Sequence, residues 1–203
     1  MFKNKNINEK FYKRVYRVLT VILLFYWVIF AFCGVARCGA MSYVYPLKYK
    51  EQVFKYSDEN GLESALVFAV IKTESSFDEK ATSNAGAIGL MQITPSTGEY
   101  IAKKLGVENY DLYDIETNLK FGCYYIKYLF TRFENMDTAM IAYNAGEGNV
   151  ALWLNNPSYS SDKKTLVYVP FLETREYIKK IQENFSKYKK LYGKFLDKRN
   201  NFE

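Results

Sequence analysis

The chain of 203 residues is 49% hydrophobic and 25% charged, a balance typical of a globular domain with one core rather than of a disordered chain. It contains no histidine, which excludes His-assisted Ser and Cys triads, His-ligated metal sites and imidazole proton transfer. Acid–base chemistry must therefore rest on carboxylates, Lys or Tyr. We expect neither a cofactor nor a bound metal.

The net charge of +6 belongs to the N-terminal segment and not to the body of the chain. Residues 1–37 hold seven basic side chains and one acid, whereas the remaining residues hold 21 of each sign. The charge therefore gives no indication of a nucleic-acid partner. Its position next to an apolar segment indicates a membrane instead.

That apolar segment runs without a charge from Val18 to Val35. Its length is about that needed to cross roughly 30 Å of hydrocarbon as a helix. Because basic residues crowd its N-terminal side, the positive-inside rule predicts a cytoplasmic N-terminus and a body outside the cytoplasmic membrane. The alternative is a cleaved signal peptide, for which the small residues between Val35 and Ala40 offer a site, and the body would then be secreted.

The chain divides into five predicted segments: a basic cytoplasmic tail (1–17), a transmembrane anchor (18–36), a stalk (37–47), a folded domain (48–196) and a short tail (197–203). Cys33 and Cys38 flank the end of the apolar run, so the domain holds only Cys123 and neither an internal disulfide nor a Cys-based zinc site. The aromatic neighbours of Cys123 predict a buried hydrophobic residue.

The first half of the folded domain predicts two helices and a loop. The helices cover residues 49–59 and 62–74, and the second is apolar on nearly every side, which indicates a helix buried in the centre of the domain. The glycine-containing stretch from Ser75 to Ile93 predicts a loop with a short extended piece.

The second half predicts further helices. Thr94 and Pro95 begin one that Gly106 ends, another runs from residue 114 or 117 to about 133, and Asp137 caps a short one that ends at Gly146. A polar loop over 155–165 precedes a lysine-rich amphipathic helix from about 171 to 195. The domain is therefore predicted to be mainly α.

Glu74 lies at the C-terminal end of the most apolar helix. Burial there would disfavour the carboxylate and raise the pKa of Glu74 towards neutrality, as a general acid requires. Its local context alone also allows an ordinary surface glutamate paired with Lys72 or Lys80.

Four short segments place Glu74 in a recognisable pattern: Glu74-Ser75-Ser76-Phe77, Gly89-Leu90-Met91-Gln92, Ala142-Tyr143-Asn144-Ala145-Gly146, and Val169-Pro170-Phe171-Leu172-Glu173-Thr174-Arg175-Glu176-Tyr177. In this order and spacing the chain resembles the soluble lytic transglycosylase domain family of the lysozyme-like superfamily, over residues 48–192. The resemblance implies a single compact, mainly α (α+β lysozyme-like) domain with a catalytic cleft, here preceded by one N-terminal transmembrane helix.

The resemblance also implies a peptidoglycan-cleaving enzyme in which Glu74 is the catalytic residue. Ordinary glycosidases use two carboxylates, whereas this family is thought to use one. The same glutamate protonates the glycosidic oxygen between N-acetylmuramic acid and N-acetylglucosamine and then deprotonates the muramoyl 6-hydroxyl, which closes a 1,6-anhydro ring. Near Glu74 the sequence offers only Asp78 and Glu79 as further carboxylates, and both are expected to be solvated.

Six other residues are candidate substrate-binding groups, from the resemblance or from their chemistry: Ser83, Gln92, Tyr143, Asn144, Glu173 and Tyr177. The Gln92 amide is suited to an acetamido or hydroxyl group, or alternatively ties its loop to neighbouring backbone. Glu173 is suited to substrate or to stem-peptide amines, or alternatively forms a structural pair with Arg175. No metal ligand is expected among them.

Two other functions remain open on the sequence. One is a hydrolytic muramidase of the lysozyme type, and the other is a non-catalytic tether that binds peptidoglycan. The expected partners are peptidoglycan glycan strands, the membrane through the N-terminal helix and a cell-wall machine, with the chain as a monomer.

Overall fold

The computed structural model describes residues 3–199, and the side chains of residues 11–32, 39 and 41–196. It divides into two compact units, Met1–Pro46 and Leu47–Glu203. The last residues of the predicted tail, 200–203, and the side chains of Cys33 and Cys38 lie outside the described part.

The first unit is one long helix, α1 (Lys3–Val44). The most apolar 18 residues of its stretch Phe11–Phe32 have a mean hydropathy of 2.2 and no buried side chains, and the stretch is long and apolar enough to cross a membrane. It overlaps the predicted anchor over 18–36. Both an uncleaved anchor and a signal sequence meet this criterion.

The second unit is helical, as predicted. Its described helices are α2 (Lys50–Glu59), α3 (Ser64–Glu74), α4 (Pro95–Leu105), α5 (Ile115–Phe133), α6 (Met136–Ala145), α7 (Glu147–Leu154) and α8 (Leu172–Arg199). Helix α3 packs mainly against α8, and α6 contacts α5, α7 and α8. All residues of α3 from Ser64 to Ile71 are buried, which confirms the central helix that its uniform hydrophobicity predicts.

Between α3 and α4 the chain forms a compact loop instead of a sheet. Isolated antiparallel bridges join Thr82 to Ile88 and Ile88 to Ile93, which is the short extended piece expected there. The loop ends at Thr94, whose side chain accepts a hydrogen bond from the Thr97 amide (3.2 Å) and caps α4.

Two details of the predicted helices were wrong. The cap of α6 is Asn135, whose Oδ1 accepts from the Thr138 amide at 2.9 Å. Asp137 instead lies within the first turn of α6, where its Oδ2 accepts from the Gln182 amide at 3.0 Å. Helix α7 was missed because it is only eight residues long and follows α6 directly after Gly146.

Candidate active site

The C-terminal end of α3 places Glu74 in a cleft where this helix meets the end of α6 and the start of α8. The cleft has a volume of about 250 Å³ and is lined by Thr73, Glu74, Asn144, Glu173, Glu176, Tyr177 and Lys180. Four of these residues, Glu74, Asn144, Glu173 and Tyr177, are predicted site residues from three distant parts of the sequence. The fold thus brings them to one cleft.

The carboxyl of Glu74 is an unusual acid. The residue keeps a small exposed surface in the cleft, but protein atoms surround the carboxyl group densely. Burial is the main reason that its pKa rises from 4.5 to about 7, because the charged form loses its hydration. A carboxyl with a pKa near 7 is protonated in a large fraction of molecules at neutral pH, as a general acid must be.

Tyr177 is the group that opposes this rise. Its hydrogen-bonding influence lowers the pKa of Glu74, and burial together with the charge of Glu74 raises the pKa of the Tyr177 phenol well above its ordinary value. Yet the buried hydroxyl of Tyr177 has no regular hydrogen-bond partner among the described residues. The two groups therefore approach each other without the geometry of a full hydrogen bond.

The raised pKa predicts a pH-dependent stability difference between the wild-type protein and Glu74→Gln. Because the pKa of Glu74 is higher in the folded state, its contribution to stability is fully present below about pH 4.5 and is lost as the pH rises through about 7. Glu74→Gln lacks this loss. Between these pH values its unfolding free energy should gain up to about 3 kcal/mol on that of the wild type, as denaturant titrations would measure. A pH-independent difference would contradict the burial of this carboxyl.

The two carboxylates nearest to Glu74 in sequence, Asp78 and Glu79, form hydrogen bonds outside the cleft. Asp78 is exposed and its Oδ1 accepts from the Lys80 amide at 3.0 Å. Glu79 accepts a hydrogen bond from the Tyr49 hydroxyl at 2.8 Å, and the pKa of Glu79 is lowered. Neither residue lines the cleft.

Two other carboxylates are distant from Glu74 in the sequence but line the same cleft in the fold. Glu173 and Glu176 both line the cleft, and both are exposed. Glu176 forms an ion pair with Lys179 (2.8 Å), which lowers the pKa of Glu176. Neither carboxylate contributes to the raised pKa of Glu74, which is caused by burial and not by a neighbouring negative charge.

The Gly-Leu-Met-Gln segment is fixed against the end of α3 and against α6. Ser75, which follows Glu74, donates from Oγ to the Leu90 carbonyl at 2.9 Å. The hydroxyl of Tyr143 donates to the Met91 carbonyl at 2.7 Å. The motifs that contain Ser75 and Tyr143 thus both donate hydrogen bonds to the Gly-Leu-Met-Gln segment.

Asn118 on α5 completes this support, and the sequence analysis missed it. It is 1% exposed, its Oδ1 accepts from the Met91 amide (2.8 Å), and its Nδ2 donates to the carbonyls of Ile88 (2.9 Å) and Leu112 (2.7 Å). A polar residue on the apolar face of a predicted helix was the available signal, because a buried amide must find partners.

Ser83, Gln92 and Tyr143 do not line the cleft. Ser83 is exposed, and its Oγ accepts from the Ala87 amide at 3.0 Å. The Gln92 amide donates to the carbonyls of Ala81 (3.2 Å) and Gly89 (2.9 Å), which is the loop-tying alternative considered above. Tyr143 is close enough to Glu74 for the charge of Glu74 to help raise the pKa of Tyr143.

Asn144 and Glu173 have different surroundings within the cleft. The Oδ1 of Asn144 accepts from the hydroxyl of Thr174 at 2.7 Å, which fixes the orientation of the amide. Glu173 forms no ion pair with Arg175 among the described residues, because Arg175 donates to the Val169 carbonyl (2.8 Å) and lies over the Tyr168 ring. The structural pair between Glu173 and Arg175 that was considered above is therefore absent among the described residues.

Glu176 and Lys180 line the cleft and were also missed. They lie three and seven residues after Glu173 on α8, so they share a helical face with it. The period of that helix was the signal that would have found them.

Comparison with known proteins finds relatives of this chain in one family. Residues 51–166 match the family model described as the transglycosylase SLT domain. The soluble lytic murein transglycosylase of Escherichia coli K12 is 34% identical over 143 residues, which cover 68% of this chain and 22% of that protein. The membrane-bound lytic murein transglycosylase C of Pectobacterium atrosepticum is 31% identical over 169 residues, or 70% of this chain and 47% of that protein.

Solved structures show the same relationship. The 70 kDa soluble lytic transglycosylase of Escherichia coli superposes with a TM-score of 0.66 at 30% identity, covering 75% of this chain and 26% of that one. An inactive Glu-to-Gln mutant of the lytic transglycosylase Slt from Pseudomonas aeruginosa superposes with a TM-score of 0.63 at 28% identity, covering 72% of this chain and 25% of that one.

The fold and the cleft thus define a lysozyme-like domain of the kind found in enzymes that act on glycans. The chain belongs to the transglycosylase SLT domain family. It spans about a quarter of the length of the soluble curated relatives that it matches.

Proposed function

We propose that the protein is a peptidoglycan lytic transglycosylase in which Glu74 acts first as general acid and then as general base. The observation that carries this proposal is the buried Glu74 carboxyl, which opens on a cleft and has a pKa of about 7 without the influence of a second carboxylate. Relatives named lytic murein transglycosylases support the substrate class.

In the first step, protonated Glu74 donates its proton to the β-1,4 glycosidic oxygen between N-acetylmuramic acid and N-acetylglucosamine. The bond from this oxygen to the muramoyl anomeric carbon breaks, and N-acetylglucosamine leaves as an alcohol. The acetamido group of the substrate helps to stabilise the cation. Glu74 is left as a carboxylate. Because burial disfavours this charged form, the carboxylate accepts a proton readily and can act as a base.

In the second step, the Glu74 carboxylate removes the proton from the 6-hydroxyl of the same muramoyl residue. The oxygen attacks the anomeric carbon and closes a 1,6-anhydro ring, and Glu74 is protonated again. No water is consumed. An intramolecular nucleophile has a large effective molarity, which favours ring closure over hydrolysis.

The other predicted site residues are assigned binding roles in this proposal. The amide of Asn144, oriented by Thr174, and the exposed carboxylate of Glu173 are proposed to contact the strand or its stem peptide. Tyr177 adjusts the acidity of Glu74. Ser83 and Gln92, in the loop between α3 and α4, and Tyr143, near the end of α6, are proposed to border the surface on which the strand lies.

A hydrolytic muramidase is the second candidate, and one observation favours it. Glu173 and Glu176 supply cleft carboxylates that a hydrolase would use to activate water. Against it, neither one affects the pKa of Glu74, and Glu176 is paired with Lys179.

Helix α1 supports a proposed site of action at the membrane. Basic residues between positions 3 and 17 precede the uncharged run that begins at Val18, and the helix is able to span a membrane. We place the N-terminus in the cytoplasm and the catalytic domain outside the cytoplasmic membrane, where peptidoglycan is found.

The experiment that tests this function is the incubation of the purified full chain, in detergent, with isolated cell-wall sacculi. Soluble muropeptides should be released. Binding to sacculi without any release would contradict the proposal and would indicate the wall-binding tether.

Replacement of Tyr177 with Phe should shift the pH dependence of this activity. The phenol lowers the pKa of Glu74, so its removal raises that pKa and keeps the acid protonated to higher pH. The alkaline limb of the kcat/KM profile, expected near pH 7 in the wild type, should move to higher pH. Movement of the limb to lower pH would contradict this role.

A further inference from the structure

Exposed apolar side chains cluster directly before and at the start of α8. Among the described residues of the second unit, half of the exposed large apolar side chains fall within positions 167–172, namely Val167, Tyr168, Phe171 and Leu172. We call these four side chains the apolar patch. Val167 is 71% exposed and Leu172 is 64% exposed, and none of the four takes part in the proposed mechanism. Clustered apolar side chains on the surface of a globular domain mark a contact surface.

The backbone of the apolar patch is held in place by the domain. The Val167 amide donates to the Tyr159 carbonyl at 2.8 Å, and the rings of Tyr159 and Tyr168 lie 5.8 Å apart. The Phe171 ring packs edge-on against the Trp153 ring, with the two centroids 4.9 Å apart. Because these contacts already fix the segment, contact with another apolar body requires little further ordering of the chain.

Basic side chains flank the apolar patch on both sides. Lys163 and Lys164 are exposed shortly before it, and the Arg175 guanidinium lies over the Tyr168 ring. Lys164 also forms an ion pair with Glu134 (3.4 Å). Surfaces that combine aromatic and aliphatic groups with long basic side chains suit the interfacial region of a bilayer, where the rings lie at the headgroups and the basic groups reach the phosphates.

The proposed membrane anchor keeps a bilayer within reach of the apolar patch. Residues 33–49 separate the apolar stretch Phe11–Phe32 from α2. Even fully extended, this connection spans at most roughly 60 Å. A domain tethered so closely meets the bilayer at a high effective concentration, so a weak affinity for the lipid surface is sufficient for contact. A soluble partner has no such advantage.

We propose that the apolar patch docks on the lipid bilayer that α1 crosses, with its apolar side chains in the interfacial region. This proposal rests on the membrane anchoring in the proposed function. Leu172 directly precedes Glu173, which lines the cleft, so docking holds the cleft beside the lipid surface. The enzyme is thereby directed to glycan strands that lie close to the membrane.

The test places a nitrobenzoxadiazole fluorophore on the full chain in lipid nanodiscs that each hold one chain. Cys33→Ser and Cys38→Ser leave Cys123 as the remaining cysteine, which is buried and therefore protected from labelling. Val167→Cys then directs the label to the apolar patch. In discs of phosphatidylethanolamine and phosphatidylglycerol, doxyl-labelled lipid should quench this label, because the label lies among the lipids.

Glu108→Cys gives the matched control label, since Glu108 is exposed in the connection between α4 and α5, outside the apolar patch. Doxyl-labelled lipid should not quench it. Adding Leu172→Asp to the Val167→Cys chain should lower the ratio of docked to free domain roughly tenfold or more, because a charge replaces an apolar group that the lipid buries. Unchanged thermal unfolding in detergent checks that this variant is folded.

Equal quenching of both labels would overturn the docking proposal, as would an unquenched Val167 label in discs that hold the chain. Quenching that a folded Leu172→Asp chain retains in full would also overturn it. A label that is shielded only in discs with two chains would indicate self-association instead. Failure of the chain to enter the discs would refute the anchor and the docking together. Failure to release muropeptides would refute the enzymatic function separately, because the fluorescence measurement needs no turnover.

Discussion

Replacing Glu74 with Gln is expected to reduce the release of soluble muropeptides from sacculi by about 10²- to 10⁴-fold, the contribution typical of a positioned general acid–base group. The amide keeps the shape of the carboxyl but has no proton to donate to the glycosidic oxygen and cannot remove one from the 6-hydroxyl. Both proposed steps are lost together, since one residue performs both. The measurement is the initial rate of fragment release by the full chain in detergent.

The matched control is Glu79→Gln. Glu79 lies five residues after Glu74, is hydrogen-bonded to Tyr49 and does not line the cleft, and the amide oxygen of Gln still accepts that bond. Its release rate should equal that of the wild type. Persistent turnover by a folded Glu74→Gln protein would remove Glu74 from its assigned role.

The second large effect is expected for Gly89→Ala, in the loop that supports the site. A Cβ at Gly89 would lie 2.4 Å from Nδ2 of Asn118 and 2.7 Å from the Leu112 carbonyl oxygen. Gly89 also has a φ of +77°, where Ala is strained. Strain of about 1–2 kcal/mol and overpacking of about 1–3 kcal/mol together predict a loss of roughly 2–5 kcal/mol in unfolding free energy.

Gly86→Ala separates these two causes. Gly86 has a φ of +78°, but a Cβ there would meet nothing within 4 Å. This variant should lose only the strain contribution of about 1–2 kcal/mol. Denaturant unfolding of both variants measures the difference, and equal losses would show that the contact with Asn118 does not constrain the loop.

The helices of the domain could be predicted from sequence because local signals determine them. Uniform hydrophobicity predicts the buried helix α3, and Thr94, Pro95 and Gly106 predict the limits of α4. The predicted cap of α6 was wrong because Asn135 and Asp137 are both good capping residues and lie only two positions apart. Only the backbone conformation of Asn135, with φ −131° and ψ 128°, shows which one precedes the helix.

The candidate site was predictable only in part, because chain distance hides which side chains meet. Motifs identify Glu74, Asn144, Glu173 and Tyr177, which the structure brings to one cleft. They do not reveal that a single buried amide, Asn118, holds the Gly-Leu-Met-Gln loop through Met91. That role depends on α5 packing beside the loop, which is a tertiary contact without a local sequence pattern.

The pKa of Glu74 was likewise predictable only in part from the sequence. The position of Glu74 at the end of an apolar helix predicts a raised pKa, and burial raises it to about 7. The opposing influence of Tyr177 comes from a residue more than a hundred positions later in the chain. Its effect depends on the packing of α3 against α8.

The most direct test of single-glutamate ring closure is digestion of sacculi by the wild-type chain in water enriched in the heavy oxygen isotope. Mass spectrometry then reads the new muramoyl ends. The proposed mechanism predicts 1,6-anhydro ends that are lighter than reducing ends by one water and contain no heavy oxygen, because the attacking oxygen comes from the substrate. Reducing ends that carry the heavy isotope would contradict it and would identify a hydrolytic muramidase.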